Sequence, residues 1–286
     1  MTKLPITVLL AVKNEALNLP KCLDSLGPAV KVYVLDSQST DDSAKICRRR
    51  GAEVVQFRYK NSYPKKRQWA LEHLRITTPW VFLLDADEII TEALWSEIRE
   101  VISSPSKVNA FLIKKQFHFL GRRFTHGGFS HAAILLFRNG TARFERLFDD
   151  DSSDLDMEVH ERLIVDGAIR PLKNPVRHED FKNLSAYLER HNKYSSWESA
   201  LRLQFMKTGK YGNDSIRAKF FGNAQERRRF LKKLVIRAPF EPWIWFIYHY
   251  LIRLGFLEGR PGFIACVIRS NYISDTRAKM YEMANK

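Results

Sequence analysis

Cysteine is scarce in this 286-residue chain: Cys22, Cys47 and Cys266 are scattered, with no C-x-x-C pair. That usage excludes a disulfide framework and a zinc knuckle, and it suits a reducing compartment. Long apolar runs are missing as well. Near the N-terminus, Ile6 to Val12 is cut short by Lys13-Asn14-Glu15 without a small-residue cleavage site, so it reads as a buried strand rather than a signal peptide. Trp243 to Phe256 falls short of the roughly 20 apolar residues a spanning helix needs, and His249 and Arg253 interrupt it. No G-x-G-x-x-G follows the first apolar run and no G-x-x-x-x-G-K-S/T occurs anywhere, which argues against dinucleotide and P-loop binding. The Gly-rich loop of nucleotidylyltransferases is missing too. Acidic residues are the last shortage: 32 Asp and Glu face 47 Lys and Arg, a net charge of +15. That surplus points to anionic partners (nucleic acid, nucleotide phosphates or a membrane surface) without choosing among them. At 45% hydrophobic and 28% charged residues the chain is globular, neither disordered nor fibrous.

What the first hundred residues do contain is an alternation of strand and helix. Ile6 to Val12 is continuously apolar, as a strand covered on both faces should be, and Leu19, Leu23 and Leu26 then recur at helical spacing. Lys31 to Asp36 reads as the second strand, and Ser39-Thr40-Asp41-Asp42 caps a helix reaching Arg50. Glu53 to Phe57 is a third strand. Tyr63 to Arg75 is helical, and Trp80 to Asp85 is a fourth strand after the Pro79 break. Strands separated by helices form a mainly parallel sheet with helices on both faces, which binds ligands beyond the carboxyl ends of its strands. Asp36 and Asp85 stand at such ends.

Asp85-Ala86-Asp87 places two carboxylates at the mouth of the apolar strand WVFLL, where unpartnered charge is costly to desolvate. A hard divalent cation meets that need and leaves open positions for two phosphate oxygens. The plainer reading is an acidic turn capping the helix that starts near Thr91.

Taken together, ITVLLAVKNEALNLPKCLDSL, VYVLDSQSTDDSAKIC and WVFLLDADEIIT resemble, in order and spacing, the N-terminal half of the family 2 inverting glycosyltransferases, which have the Rossmann-like GT-A fold. Further stretches, GRRFTHGGFSHAAILLFRNGTARF, VHERLIVDG and VRHEDFKNLSAYLERHNKYS, resemble the subgroup that builds lipopolysaccharide core and related envelope glycans, as does RLGFLEGRPGF near the C-terminus. The resemblance implies a GT-A domain over residues 1–181 and a helical, membrane-associating region over 182–286. It implies that Val12, Asn14 and Glu15 line a nucleotide pocket, that Asp36 binds uracil or ribose, and that Asp85 touches ribose and metal. Asp87 becomes the principal ligand of Mn²⁺ or Mg²⁺, completed by His178, which is otherwise a structural histidine. Lys66 and Arg67 fall where basic residues approach the diphosphate, or else form a solvated helix face. Gly127 and Gly128 match a loop near the donor sugar, though a plain turn has the same sequence. Glu161 occupies the position of the catalytic base, with Glu158 as runner-up and a strand-edge glutamate as the bland alternative. An inverting transfer is one displacement and needs only one such carboxylate. The acidic stretch Asp149-Asp150-Asp151, Asp154 and Asp156 just before it reads as a solvated, mobile segment or as a filter on the acceptor.

Between Arg202 and Arg237 eleven Lys and Arg face only Asp214 and Glu226, and the aromatic run Trp243 to Phe256 follows directly. A basic stretch beside interfacial Trp and Tyr suits an anionic membrane face, and Gly262 to Ile268 is a second apolar segment able to pair with the first. The alternative is a pair of core helices. The sequence as a whole reads as a metal-dependent enzyme using a UDP-sugar and a lipid-linked or lipid A core saccharide acceptor, peripheral on the cytoplasmic face of the inner membrane. Two competing readings are a basic nucleic-acid-binding protein, for which no recognised binding motif is present, and a scaffold of the same family that no longer catalyses.

Overall fold

The computed structural model describes residues 3–61, 63–147, 156, 162–179, 182–211, 217–222 and 224–285. The chain forms two compact units, one of residues 1–117, 130–144 and 150–180, the other of residues 118–129, 145–149 and 181–286.

The first unit opens with β1 (Leu4–Val12), α1 (Leu19–Asp24), β2 (Ala29–Asp36), α2 (Ser43–Arg49) and β3 (Glu53–Gln56). It continues with α3 (Lys66–His73), β4 (Trp80–Asp85), β5 (Glu88–Ile89) and α4 (Glu92–Ser103). The strand β6 (Val108–Phe119) continues into the second unit, where its end pairs with β7 (Arg122–Arg123). Then come β8 (His131–Arg138), β9 (Ala142–Phe144), β10 (Leu163–Val165), β11 (Ala168–Pro171) and β12 (Val176–His178). The main sheet runs β3-β2-β1-β4-β8-β6-β12-β5, with β11 also on β6, while β9 and β10 make a separate antiparallel pair.

The first four neighbours, β3, β2, β1 and β4, are parallel, as the alternating pattern requires. From β8 onward the sheet is mixed: β8 runs antiparallel to both β4 and β6, and β12 is parallel to β6 but antiparallel to β5. The central strand β1 is covered on both faces. Ile6, Val8, Leu10 and Val12 enter one core with Phe82, Leu94 and Trp95, whereas Leu9 enters the other with Leu35, Val81 and Ala70. Each such side chain contributes about 1.5–3 kcal/mol on burial, which is why strands with apolar residues on both faces come to the centre. The amphipathic α4 seals one layer through Leu94, Trp95 and Ile98. Thr91 caps it by accepting from the Leu94 N–H, and Trp95 Nε1 donates to Ser25 O at 2.8 Å.

The second unit is helical: α5 (Leu184–Thr208), α6 (Ala224–Val235), α7 (Glu241–Ile247), a π-helical turn over Tyr248–Ile252, a 3-10 turn over Gly255–Glu258, and α8 (Gly259–Ala284). Pro261 does not break α8. It lies in the first turn, where its missing N–H has no intrahelical partner to lose. No described helix is long and apolar enough to cross a membrane. The two apolar segments do pack together, Phe246 and Tyr250 meeting Phe263 edge-on at 6.0 and 5.7 Å between ring centroids. Two arginines of the basic stretch turn inward. Arg202 is buried between Glu198 and Glu241 at 3.0 and 2.8 Å, and Arg229 is buried against Glu145 at 2.7 Å. These arginines therefore leave the surface charge that the sequence count assigns to this region.

Candidate active site

The loops after β1 and β2 interlock at the carboxyl end of the sheet. Asn14 takes a left-handed backbone (φ 54°), a conformation Asn tolerates better than most residues. Its N–H donates to Ser39 Oγ at 2.9 Å, and its side-chain oxygen accepts from the Thr40 N–H at 2.8 Å. The Glu15 N–H donates to Ser43 Oγ at 2.8 Å, its carboxylate accepts from Asn18, and the Ser37 N–H donates to Val12 O. Asp36 is fully buried: one oxygen accepts from the N–H and hydroxyl of Ser39, the other from Gln56 Nε2 at 2.7 Å. Val12, Asn14, Glu15 and Asp36 thus lie on one continuous wall.

Beside that wall stands the acidic turn after β4. Arg67, from the first turn of α3, pairs with Asp85 Oδ1, while Lys115 from β6 reaches Asp85 Oδ2 at 3.1 Å and Glu88 Oε1 at 2.5 Å. The Glu88 side chain folds back so that Oε2 accepts from the Asp85 N–H at 3.0 Å. The strand pairing of β12 with β5 sets His178 opposite Glu88, and its Nδ1 lies 3.5 Å from both Asp87 Oδ1 and Glu88 Oε1. Burial opposes ionisation of Asp85, but Arg67 and Lys115 outweigh it and hold the carboxyl below the usual carboxylate range. Glu88 is lowered against burial mainly by Lys115, and Lys115 is raised against burial by Glu88 and Asp85. His178 is pushed up to about 9: burial opposes the charged imidazole, but the hydrogen bond to Glu88 and the Asp87 charge prevail.

Lys66 and Arg67 are neighbours in sequence with different surroundings. The Lys66 ammonium is 1% exposed, 3.3 Å from Val12 O and 3.2 Å from Asp156 Oδ2, and the Lys66 N–H donates to Asp156 O. Ser37 Oγ also donates to that carboxylate. Asp156 is therefore a buried anchor on that wall, not a solvated residue, because Lys66 supplies the charge its burial requires. Glu161 and Glu158 lie outside the described residues, as do Asp149, Asp150, Asp151 and Asp154. Gly127 and Gly128 belong to the second unit. Both have positive φ, a Cβ on Gly127 would come within 2.8 Å of the Phe129 ring, and the Gly127 N–H and O bond Arg253 O and His249 Nδ1 at 2.8 and 2.6 Å. In the same unit the buried Glu258 accepts from the N–H groups of Thr125 and His126 and from Arg122 Nε.

A model of "Glycosyl transferase family 2" matches residues 7–156, slightly more than half the chain and the whole of this wall and turn. The chain belongs to glycosyl transferase family 2. Along 98% of its length this family 2 chain is 25% identical to the lipopolysaccharide core biosynthesis glycosyltransferase LpsC of Rhizobium meliloti (strain 1021), covering 93% of that protein. An uncharacterized glycosyltransferase of Rickettsia felis is 32% identical over 100 residues, 35% of this chain and 34% of the relative. Among solved structures, a mannosyltransferase from Pyrobaculum calidifontis in complex with GDP-Man and Mn²⁺ aligns over 98% of this chain and 88% of its own, with a TM-score of 0.51 and 15% identity. The last likeness shows the shared GT-A fold, and of these relatives LpsC is the one named for lipopolysaccharide core biosynthesis.

Among the described residues no group of three His, Cys, Asp or Glu is arranged to hold a metal ion. The donor chemistry at Asp87 and His178 nevertheless fits one: a carboxylate and an imidazole already face each other, both largely buried, at the mouth of the strand beside the wall of Val12, Asn14, Glu15 and Asp36. Sequence reasoning missed Lys115 and Glu88. Lys115 lies thirty residues beyond Asp85, and only the strand order brings the two together. Glu88 carried a local signal, a third acid directly after Asp85-Ala86-Asp87.

Proposed function

We propose that this enzyme transfers a sugar from a UDP-sugar to a lipopolysaccharide-core or lipid-linked envelope-glycan acceptor by a metal-dependent, inverting displacement. What supports the reading is the acidic turn itself: Asp87 is brought to His178 at the carboxyl end of β4, next to a wall built from the loops after β1 and β2. Asp87 and His178 would hold Mn²⁺ or Mg²⁺. When bound, the ion supplies Lewis-acid neutralisation of the diphosphate leaving group. Arg67 holds Asp85 in place, Asn14 and Glu15 shape the floor of the nucleotide pocket, and Glu161 takes the acceptor proton. The test is thermal shift of the full chain with UDP-hexoses, UDP-N-acetylhexosamines, UDP-uronic acids and GDP-mannose, each with and without Mn²⁺. A ligand at a hundredfold excess over its Kd stabilises by about 2.7 kcal/mol, so one UDP-sugar should raise Tm only when Mn²⁺ is present. A shift by GDP-mannose alone replaces the donor class, and a shift by any donor that ignores Mn²⁺ removes the metal from the reading.

The acceptor's lipid argues for work at a membrane surface, and residues 182–286 offer the means. Phe240, Trp243, Ile247, Leu251, Ile252 and Leu254 are exposed, Trp243 and Ile252 at 68% and 66%, with Arg237, Arg253 and Arg260 exposed among them. A basic and aromatic edge of this kind suits anionic headgroups. The protein is expected to sediment with liposomes containing anionic lipid, less with neutral ones, and to be released by high salt. Replacing Trp243 and Ile252 together by glutamate should lower that binding about tenfold or more, given the apolar area removed. Liposome binding unchanged in the folded double variant would take the membrane contact away from this edge.

A further inference from the structure

Lys115 is a buried charged residue of the first unit that neither the family resemblance nor the reading above uses. Its backbone is fixed on both sides, opposite His131 on β8 and Val176 on β12, so its side chain projects from the middle of the sheet. The ammonium ends between two carboxylates, 3.1 Å from Asp85 Oδ2 and 2.5 Å from Glu88 Oε1. Arg67 holds Oδ1 of Asp85, and the Asp85 N–H holds Oε2 of Glu88. Both oxygens of Asp85 and both of Glu88 are therefore engaged by groups of the chain itself. Glu88 is 0% exposed, so its charge needs a partner that does not leave.

We infer that Lys115 is a positioning residue that stands as a fixed cation within the acidic turn, confining the divalent metal to Asp87 and His178 and making its retention depend on an incoming diphosphate. The argument is one of charge and valence. Asp85, Asp87 and Glu88 carry three negative charges; Lys115 and Arg67 cancel two of them permanently, and the His178 imidazolium cancels the third only until a metal displaces its proton. One carboxylate and one imidazole are a weak cage for a hard cation that prefers about six oxygen-rich ligands. Diphosphate oxygens complete the set, so metal and nucleotide should bind together far better than either alone. With Lys115 removed, Asp85 and Glu88 become acceptors without that cation, and the turn presents a site of higher negative charge to the metal alone.

This inference rests on the metal-dependent reading, and one titration separates the two. Free Mn²⁺ is followed by electron paramagnetic resonance as the full-length protein is titrated, with and without UDP. Wild-type protein should bind Mn²⁺ weakly alone and at least tenfold more tightly with UDP. Lys115→Met should bind Mn²⁺ alone at least tenfold more tightly than wild type and lose most of the UDP enhancement, while Lys115→Arg should behave as wild type. A merely structural lysine does not yield a gain in metal binding on removal. Lys115→Gln, whose amide still fills the space and hydrogen-bonds to Glu88, serves the same comparison where the methionine variant does not fold. A folded variant with wild-type affinity for Mn²⁺ alone overturns the role of Lys115 and leaves the metal-dependent reading standing. Wild-type protein that binds UDP equally with and without Mn²⁺ overturns both.

Discussion

Asp87→Ala is expected to abolish transfer and to remove the metal dependence of UDP binding. Asp85 and Glu88 are bridged by Lys115, whereas Asp87 faces His178 at 3.5 Å, so removing its carboxylate takes away the oxygen donor of the proposed metal pair. Metal stabilisation of a leaving group is worth several kcal/mol, so turnover should drop about a thousandfold or more. Calorimetry of UDP binding with and without Mn²⁺ reads the binding side directly. The same titration has a pH signature. His178 keeps its proton up to about pH 9, and that proton must leave before the nitrogen coordinates. Mn²⁺ affinity in the presence of UDP should therefore climb as pH rises from 6 toward 9 in wild type. In Asp87→Ala neither the affinity nor the climb should remain. Undiminished metal-dependent binding in this variant would move the metal elsewhere.

The parts of this fold that were legible in the sequence are those fixed by local rules. Ile6 to Val12 and Trp80 to Leu84 read as central strands because a strand covered on both faces carries apolar residues at successive positions, and they lie side by side in the sheet. The acids at the ends of those strands, Asp36 and Asp85, stand where ligands bind such sheets. The mixed half of the sheet was not legible, because the antiparallel entry of β8 depends on how a long connection returns and not on any pattern within it. Charge was the least legible property. A lysine in sequence has no sign of its partner: Lys66 goes inward to Asp156, Lys115 to Asp85 and Glu88, Arg202 to Glu198 and Glu241, and Arg229 to Glu145. Counting such residues as surface charge overstates what a membrane or nucleic acid can meet.

The aromatic run shows the same division between composition and placement. Trp245 stacks on His249 with ring centroids 3.4 Å apart, His249 is buried beneath, and Phe246 and Tyr250 pack on Phe263, so these rings build the second unit. Trp243, Ile247, Leu251 and Ile252 are turned outward. Helical spacing separates the two sets, since the inward residues recur at intervals of three and four along α7 and the turn that follows. The core and interfacial readings of this segment therefore apply to different residues of it.

Glu161→Gln is expected to leave donor binding nearly unchanged while kcat falls about 10²–10⁴-fold, the usual contribution of a positioned base. The amide keeps the shape of the side chain but cannot accept a proton. In a single displacement the acceptor oxygen attacks the anomeric carbon as the bond to the diphosphate breaks, and its proton must pass to a base at that moment. The family resemblance implies Glu161 for this role, and its nearest described neighbours on either side, Asp156 and Arg162, both belong to the first unit, which also holds the wall of Val12, Asn14, Glu15 and Asp36. Asp156 is anchored to that wall by Lys66 and Ser37. Turnover is read as UDP release from the UDP-sugar that scores in the thermal screen, with an envelope lipid extract as the acceptor, and UDP-sugar affinity is read by calorimetry in the presence of Mn²⁺. A loss confined to kcat separates a base from a residue that binds the donor, because an interaction lost equally from ground and transition states raises KM instead. Glu158→Gln is the comparison: it should turn over within a few-fold of wild type. The reverse outcome, wild-type turnover in Glu161→Gln with collapse in Glu158→Gln, assigns the base to Glu158. Collapse in neither variant takes the base out of this segment, and proton nuclear magnetic resonance of the product's anomeric centre then tests whether the transfer inverts at all.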